Sequence, residues 1–167
     1  QLWIVCMVQF YCFIRPGGEM RSLRINNILR DGSDWRFQID GVNAKTGRYR
    51  YIPIPKPLKQ LLEPYINGYP SHYFLFGTKR QPSSDPVGTN SLYNRHKYFL
   101  QLLKLPVGYT FYSWKNTGAV MMIKCGMSFK NVSMLMGHTS IETTDEYFKS
   151  LGINDVLEDI RDQYPII

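Results

Sequence analysis

The segment MGHTSIETTDEYFKS, residues 136–150, sets Tyr147 nine residues after His138. A tyrosine oxygen can attack a phosphodiester and keep the phosphoryl group as a covalent ester. That step builds negative charge on the non-bridging oxygens, so it calls for fixed cationic donors around them. The chain supplies Arg15, Lys45 and, in YSWKNTG (112–118), Lys115, with Glu19 four residues after Arg15 as an acid able to hold it. Residue type alone leaves each role open. Tyr147 is one of twelve tyrosines and fits an ordinary half-buried aromatic, and His138 after Gly137 fits a helix-terminal cap. Arg15 and Lys45 fit solvated charges, and Arg48 competes with Lys45.

The elements that must position these residues follow from pattern. Residues 2–14 are apolar on most sides and predict a buried helix, broken by RPGGE (15–19), where proline and two glycines cannot continue it. Residues 19–28 read as a short amphipathic helix with Met20, Leu23 and Ile28 inward, and DGSD (31–34) as a turn. WRFQI and RYRYIPI alternate in the strand manner around DGVNAKTGR and predict a hairpin over about 35–54. Pro55 and Pro57 open a helix, and YFLFG (73–77) reads as a short strand. TKRQPSSDPVGTN (78–90) reads as a loop, and helices follow at about 89–104, 110–125, 128–136 and 140–150. A last helix has Ile153, Val156, Leu157 and Ile160 on one stripe. The expected fold class is α+β, mainly α-helical with a small antiparallel β-sheet.

Composition bounds what such an arrangement serves. At 167 residues the chain fits one domain, and 44% hydrophobic with 20% charged residues is a globular balance. The longest apolar stretch, QLWIVCMVQFYCFI, is too short to span a bilayer, so no membrane partner is expected. Three cysteines and three histidines have no metal-ligand spacing, so no metal is expected, and a reduced cytoplasmic setting fits. The chain opens on Gln1 rather than Met, which fits one domain over 1–167 with its natural N-terminal part missing. Residues 1–141 carry 18 Lys/Arg against 6 Asp/Glu, whereas 142–167 carry 2 against 7. A basic body fits a polyanion, and the acidic tail faces something else. Phosphate-contact candidates are Arg21, Arg24, Arg30, Arg36, Arg48, Arg50, Lys79, Arg80, Arg95 and Lys97.

The ordered set Arg15, Lys45, YSWKNTG, LMGH (135–138) and Tyr147 resembles the catalytic domain of tyrosine recombinases, the phage-integrase family. That family has an arginine followed by an acid, a β-hairpin lysine, a His-x-x-Arg box, a Gly-His and then a tyrosine about nine residues on. Lys45 matches the hairpin lysine because it lies eight residues before Pro53 of IPIP. The resemblance implies that Tyr147 attacks DNA, leaving a 3′-phosphotyrosyl link and a free 5′ hydroxyl. Arg15, Lys115 and His138 would then stabilise the transition state, with Lys45 as general acid and Tyr112 aligning the phosphate. No cofactor is implied. Partners would be double-stranded DNA and other protomers, contacted by a tail helix at 153–163, near the nucleoid. The second box departs from the family: Tyr112-Ser113-Trp114-Lys115 stands for His-x-x-Arg, and Asn116 for a common histidine. Lysine cannot grip a phosphate through two parallel hydrogen bonds. The alternative is therefore a DNA-binding accessory or regulatory protein of the same fold with lost or weak catalysis. A type IB-like topoisomerase shares the chemistry but fits the segment before the tyrosine less well.

Overall fold

The computed structural model describes residues 1–40, 49–106, 108–138 and 140–151. Its organising element is α1 (Leu2–Cys12), buried on several faces through Ile4, Val5, Met7, Val8 and Cys12. Helices α3 (Lys56–Ile66), α4 (Ser91–Leu102) and α5 (Ser113–Lys124) pack around it. The approach of α5 is very close, because a Cβ at Gly118 would overlap the Phe10 carbonyl oxygen. α1 ends where Phe13 adopts φ 55° and its N–H donates to the Gln9 carbonyl.

After the break comes α2 (Gly18–Ser22), shorter than the helix expected over 19–28. The chain then makes a 3-10 turn at Ile25–Asn27 and enters a strand, β1 (Ile28–Asp31). Met20, Leu23 and Ile28 are all buried as expected, but Ile28 is buried from a strand. β2 (Asp34–Ile39) and β3 (Arg50–Pro53) complete an antiparallel sheet in the order β1-β2-β3, with Phe37 opposite Ile28 and Ile52. The hairpin tip, with Lys45 and Arg48, lies outside the described residues. YFLFG forms isolated bridges through Phe74 and Gly77 rather than a strand.

Two apolar clusters result. The larger joins α1, the sheet, α3 and part of α4. The smaller consists of Phe13, Ala119, Val132, Met136 and Phe148, and joins α5 to α6 (Phe129–Met136) and α7 (Ile141–Ser150). Both last helices start on a serine cap: Ser128 accepts from the Asn131 N–H and Ser140 from the Thr143 N–H. No helix among the described residues is long and apolar enough to cross a membrane. The stripe from Ile153 onward lies outside the described residues.

Candidate active site

The turn after α1 places Arg15, and one carboxylate fixes it. Glu19, on α2, is 3% exposed and accepts from the Arg15 backbone N–H at 3.0 Å and from its Nη1 at 2.8 Å. The same carboxylate accepts a fork from Arg50 at the start of β3, Nη2 to Oε2 at 2.9 Å and Nη1 to Oε1 at 3.3 Å. Two guanidiniums therefore share one buried acid.

Lys115 lies in the first turn of α5, 1% exposed, with its Nζ 5.5 Å from the Tyr112 ring centroid. Among the described residues no carboxylate pairs with it. Burial, and then the charges of Arg15 and Arg50, push its ammonium down to about 8, against a smaller opposite pull from Glu19. The cluster thus holds three cations against one carboxylate, an arrangement completed by an anion. Tyr112 is partly exposed, and burial raises its phenol above the usual range.

His138 is placed by the end of α6. Gly137 has φ 69°; its N–H donates to the Met134 carbonyl, and the His138 N–H reaches back to Ser133. This left-handed close turns the chain sharply and aims the histidine inward. His138 Nδ1 lies 2.8 Å from the hydroxyl of Thr144, which is itself fully buried on α7. Burial first, then Lys115, Arg15 and Arg50, hold the imidazole below its usual pKa, so it is neutral at pH 7.

Tyr147 is half-buried on α7, its ring edge-on to His138 and Phe148. Its hydroxyl donates to Asn116 Oδ1 at 2.5 Å. Asn116 follows Lys115 in α5, so the phenol oxygen is tied to the helix that also carries Lys115. Burial, with a smaller contribution from Tyr112, raises the phenol well above its ordinary value. At neutral pH it is protonated, so any attack by this oxygen would need its proton taken away.

Of the residues singled out from sequence, Arg15, Glu19, Tyr112, Lys115, His138 and Tyr147 converge here. Lys45 and Arg48 lie outside the described residues. The phosphate-contact candidates divide. Lys79, Arg80 and Lys97 are exposed. Arg21 donates to the Val87 carbonyl, Arg95 to the Gln1 side chain and Arg24 to the His72 carbonyl. Arg30 and Arg36 lie over the rings of Trp35 and Tyr51. Arg50 lies on Glu19 in the cluster. Sequence reasoning attached no role to Asn116 or Thr144. The departure from histidine at Asn116 was the only signal for the first, and nothing in the residue string marks the second.

The phage integrase family model matches residues 2–152. Among curated proteins, the tyrosine recombinase XerC of Chlamydia trachomatis serovar L2 is 25% identical over 132 residues, covering 77% of this chain and 42% of the relative. The chain thus spans less than half the length of the curated relatives it matches. Among solved structures, the Tn1549 transposon integrase in complex with circular intermediate DNA aligns with a TM-score of 0.71 at 16% identity, covering 98% of this chain and 57% of that one. A lambda integrase dimer bound to a core site aligns at 0.69 and 16%, covering 99% and 55%. The XerH recombinase bound to its difH substrate aligns at 0.69 and 12%, covering 97% and 45%. At these identities the likeness shows the fold, that of tyrosine recombinase catalytic domains. With a family match over nine-tenths of its length, the chain belongs to the phage integrase family.

Proposed function

We propose that this chain is the catalytic domain of a site-specific DNA recombinase of the integrase type, which cleaves and rejoins strands through a covalent 3′-phosphotyrosyl intermediate. One observation carries the reading: Tyr147, tied to Asn116, packs edge-on against His138, which feels a cluster that among the described residues sets Arg15, Arg50 and Lys115 against Glu19. A scissile phosphate supplies the missing negative charge. As the Tyr147 oxygen bonds to phosphorus and releases its proton to water, the bond to the 5′ oxygen breaks, and Arg15, Lys115 and His138 donate to the non-bridging oxygens. Tyr112 aligns the phosphate from the rim. Lys45 on the hairpin is the proposed acid for the leaving oxygen. The donors in the cluster are cationic, so charge stabilisation falls to side chains.

The partners in this reading are double-stranded DNA and further protomers on the same DNA, with the 153–163 segment contacting a neighbour and Lys79, Arg80 and Arg95 near phosphates. The setting is the cytoplasm, at the nucleoid. DNA-clamping segments outside residues 1–167 belong to the same proposal. The accessory-protein reading rests on the Tyr112 and Lys115 replacements. The burial of Lys115 beside Arg15 and His138 favours the active one, because its charge stands where a catalytic cation is needed.

The test is a nicked suicide substrate, on which release of a short 5′ fragment traps the covalent complex. Wild type is expected to become attached. Tyr147→Phe keeps the ring packing and DNA affinity but loses attachment entirely. Attachment of the Phe variant would place the nucleophile elsewhere.

A further inference from the structure

Arg50 stands apart from the other basic residues. Its side chain is 10% exposed, and its fork meets both oxygens of Glu19. Its guanidinium also packs against Gly137: a Cβ there would stand 2.8 Å from Nη1 and 3.3 Å from Cδ. Glycine at 137 therefore answers two demands, a φ of 69° and the space Arg50 occupies. Among the described residues its buried Nε has no hydrogen-bond partner. One side chain thus touches three segments: the hairpin strand that begins at residue 50, the Arg15–Glu19 turn, and the Gly137 close that aims His138.

A guanidinium used only for DNA contact would extend into solvent and exchange water for phosphate. Arg50 is instead held inside by a bidentate pair, the geometry in which arginine and lysine are least interchangeable. We infer that Arg50 is a positioning residue of the active site, which locks the Glu19 carboxylate, and through it Arg15, in register with His138 and the β-hairpin. It also supplies the cluster with a second guanidinium where the second box carries only a lysine. This inference rests on the proposed recombinase reading for its catalytic consequence but not for its structural one.

The consequence reaches Lys115. Arg15, from the turn after α1, and Arg50, from β3, both disfavour the Lys115 charge; Glu19 on α2 favours it. Tyr112 lies under the same ammonium, and His138 beyond α6 feels it. Removing the Arg50 charge should therefore move the Lys115 titration upward, and Arg50→Lys, which keeps the charge, separates this from water reaching Lys115 through lost packing. The experiment compares the 167-residue wild type with Arg50→Gln and Arg50→Lys. Readouts are single-turnover cleavage of the suicide substrate, DNA affinity at fixed salt, and the Lys115 side-chain titration followed by NMR, assigned with Lys115→Arg.

Arg50→Gln is expected to cut the cleavage rate at least about tenfold, a typical cost for an outer-shell partner, with affinity within about twofold. The Lys115 titration should rise by about half a unit or more. Arg50→Lys should leave that titration near the wild-type position yet fail to restore the rate, because it keeps the charge without the fork. Wild-type cleavage by a folded Arg50→Gln, an unmoved Lys115 titration, or a loss confined to affinity would each overturn the inference. If Arg50→Gln does not fold, Arg50→Lys decides: a reduced rate supports the inference and a wild-type rate overturns it. If the wild type itself forms no covalent complex, the recombinase reading fails. The NMR titration then still tests Arg50.

Discussion

The pocket that would receive the phosphate and the helix that carries the proposed nucleophile are held in different ways. Arg15, Glu19, Arg50 and Lys115 hang on the turn after α1, on α2, β3 and α5, elements that all but one root in the larger cluster, which includes Phe37, Ile52, Leu58, Leu62 and Phe76. Tyr147 hangs on α7, whose anchor is Phe148 in a cluster of five buried residues. Polar ties across the gap are few: Tyr147 to Asn116 and Thr144 to His138. A broad core suits an electrostatic pocket, because donors that do not reorganise stabilise a transition state most. A small core suits an element that must bring its oxygen to phosphorus and later withdraw, since moving parts come from the less stable end of a structure.

The largest effect should come from the pocket. Lys115→Ala is expected to lower cleavage about a hundred- to a thousand-fold while changing DNA affinity little, as for loss of one transition-state donor. Lys115→Arg should retain or raise activity. Direction matters in the pH profile. With its pKa pushed down to about 8, Lys115 is cationic below that pH and loses its charge above it. Wild-type kcat/KM, which reports the free enzyme, should fall as pH rises through about 8. In Lys115→Arg that limb disappears. Equal cleavage by wild type and Lys115→Ala would reduce the pocket to Arg15 and Arg50.

Next comes the anchor of the nucleophile helix. Phe148→Ala removes a side chain 1% exposed, and such truncations cost about 3–5 kcal/mol. Because the small cluster carries the loss, hydrogen exchange over 141–150 should accelerate while α1 and α3 stay protected. Leu62→Ala, in the larger cluster, should instead lower the stability of the whole domain. A uniform loss of protection in both variants would show that the two clusters unfold as one, which removes the contrast. The smallest effect should be at Thr144→Val. His138 then loses its Nδ1 partner, worth about 1 kcal/mol, so cleavage should fall by about tenfold or less with the fold intact.

The sequence displayed the helices well and the sheet less well. Caps and breakers at Pro16, Pro55, Ser128, Ser140 and Gly137 mark chain positions directly, so α1, α3 and α5 to α7 fall where expected. β1 was hidden because only Ile28 of its four residues is buried, which leaves no alternation to read. The inward set Met20, Leu23 and Ile28 also fits a helical spacing by coincidence of the 3-10 turn between them. The structure brings six side chains singled out by the order of basic residues, Gly-His and tyrosine into one region: Arg15, Glu19, Tyr112, Lys115, His138 and Tyr147. Arg50 could not be told from its neighbours in the hairpin, because what sets it apart is a partner 31 positions away on α2. Asn116 showed only its departure from histidine and Thr144 showed nothing, for the same reason: each makes a contact that only packing creates.

The central claim is that the oxygen of Tyr147 becomes bonded to DNA. Trypsin digestion of the trapped complex, followed by mass spectrometry, tests it directly. Cleavage after Lys130 and Lys149 releases a peptide over 131–149 that contains Tyr147 as its one tyrosine and His138 as its one histidine. The account predicts that the nucleotide mass rides on this peptide, is located at Tyr147 by fragmentation, and survives acid as a phosphotyrosyl ester does and a phosphohistidine does not. A nucleotide on any other peptide, or on His138, would contradict it.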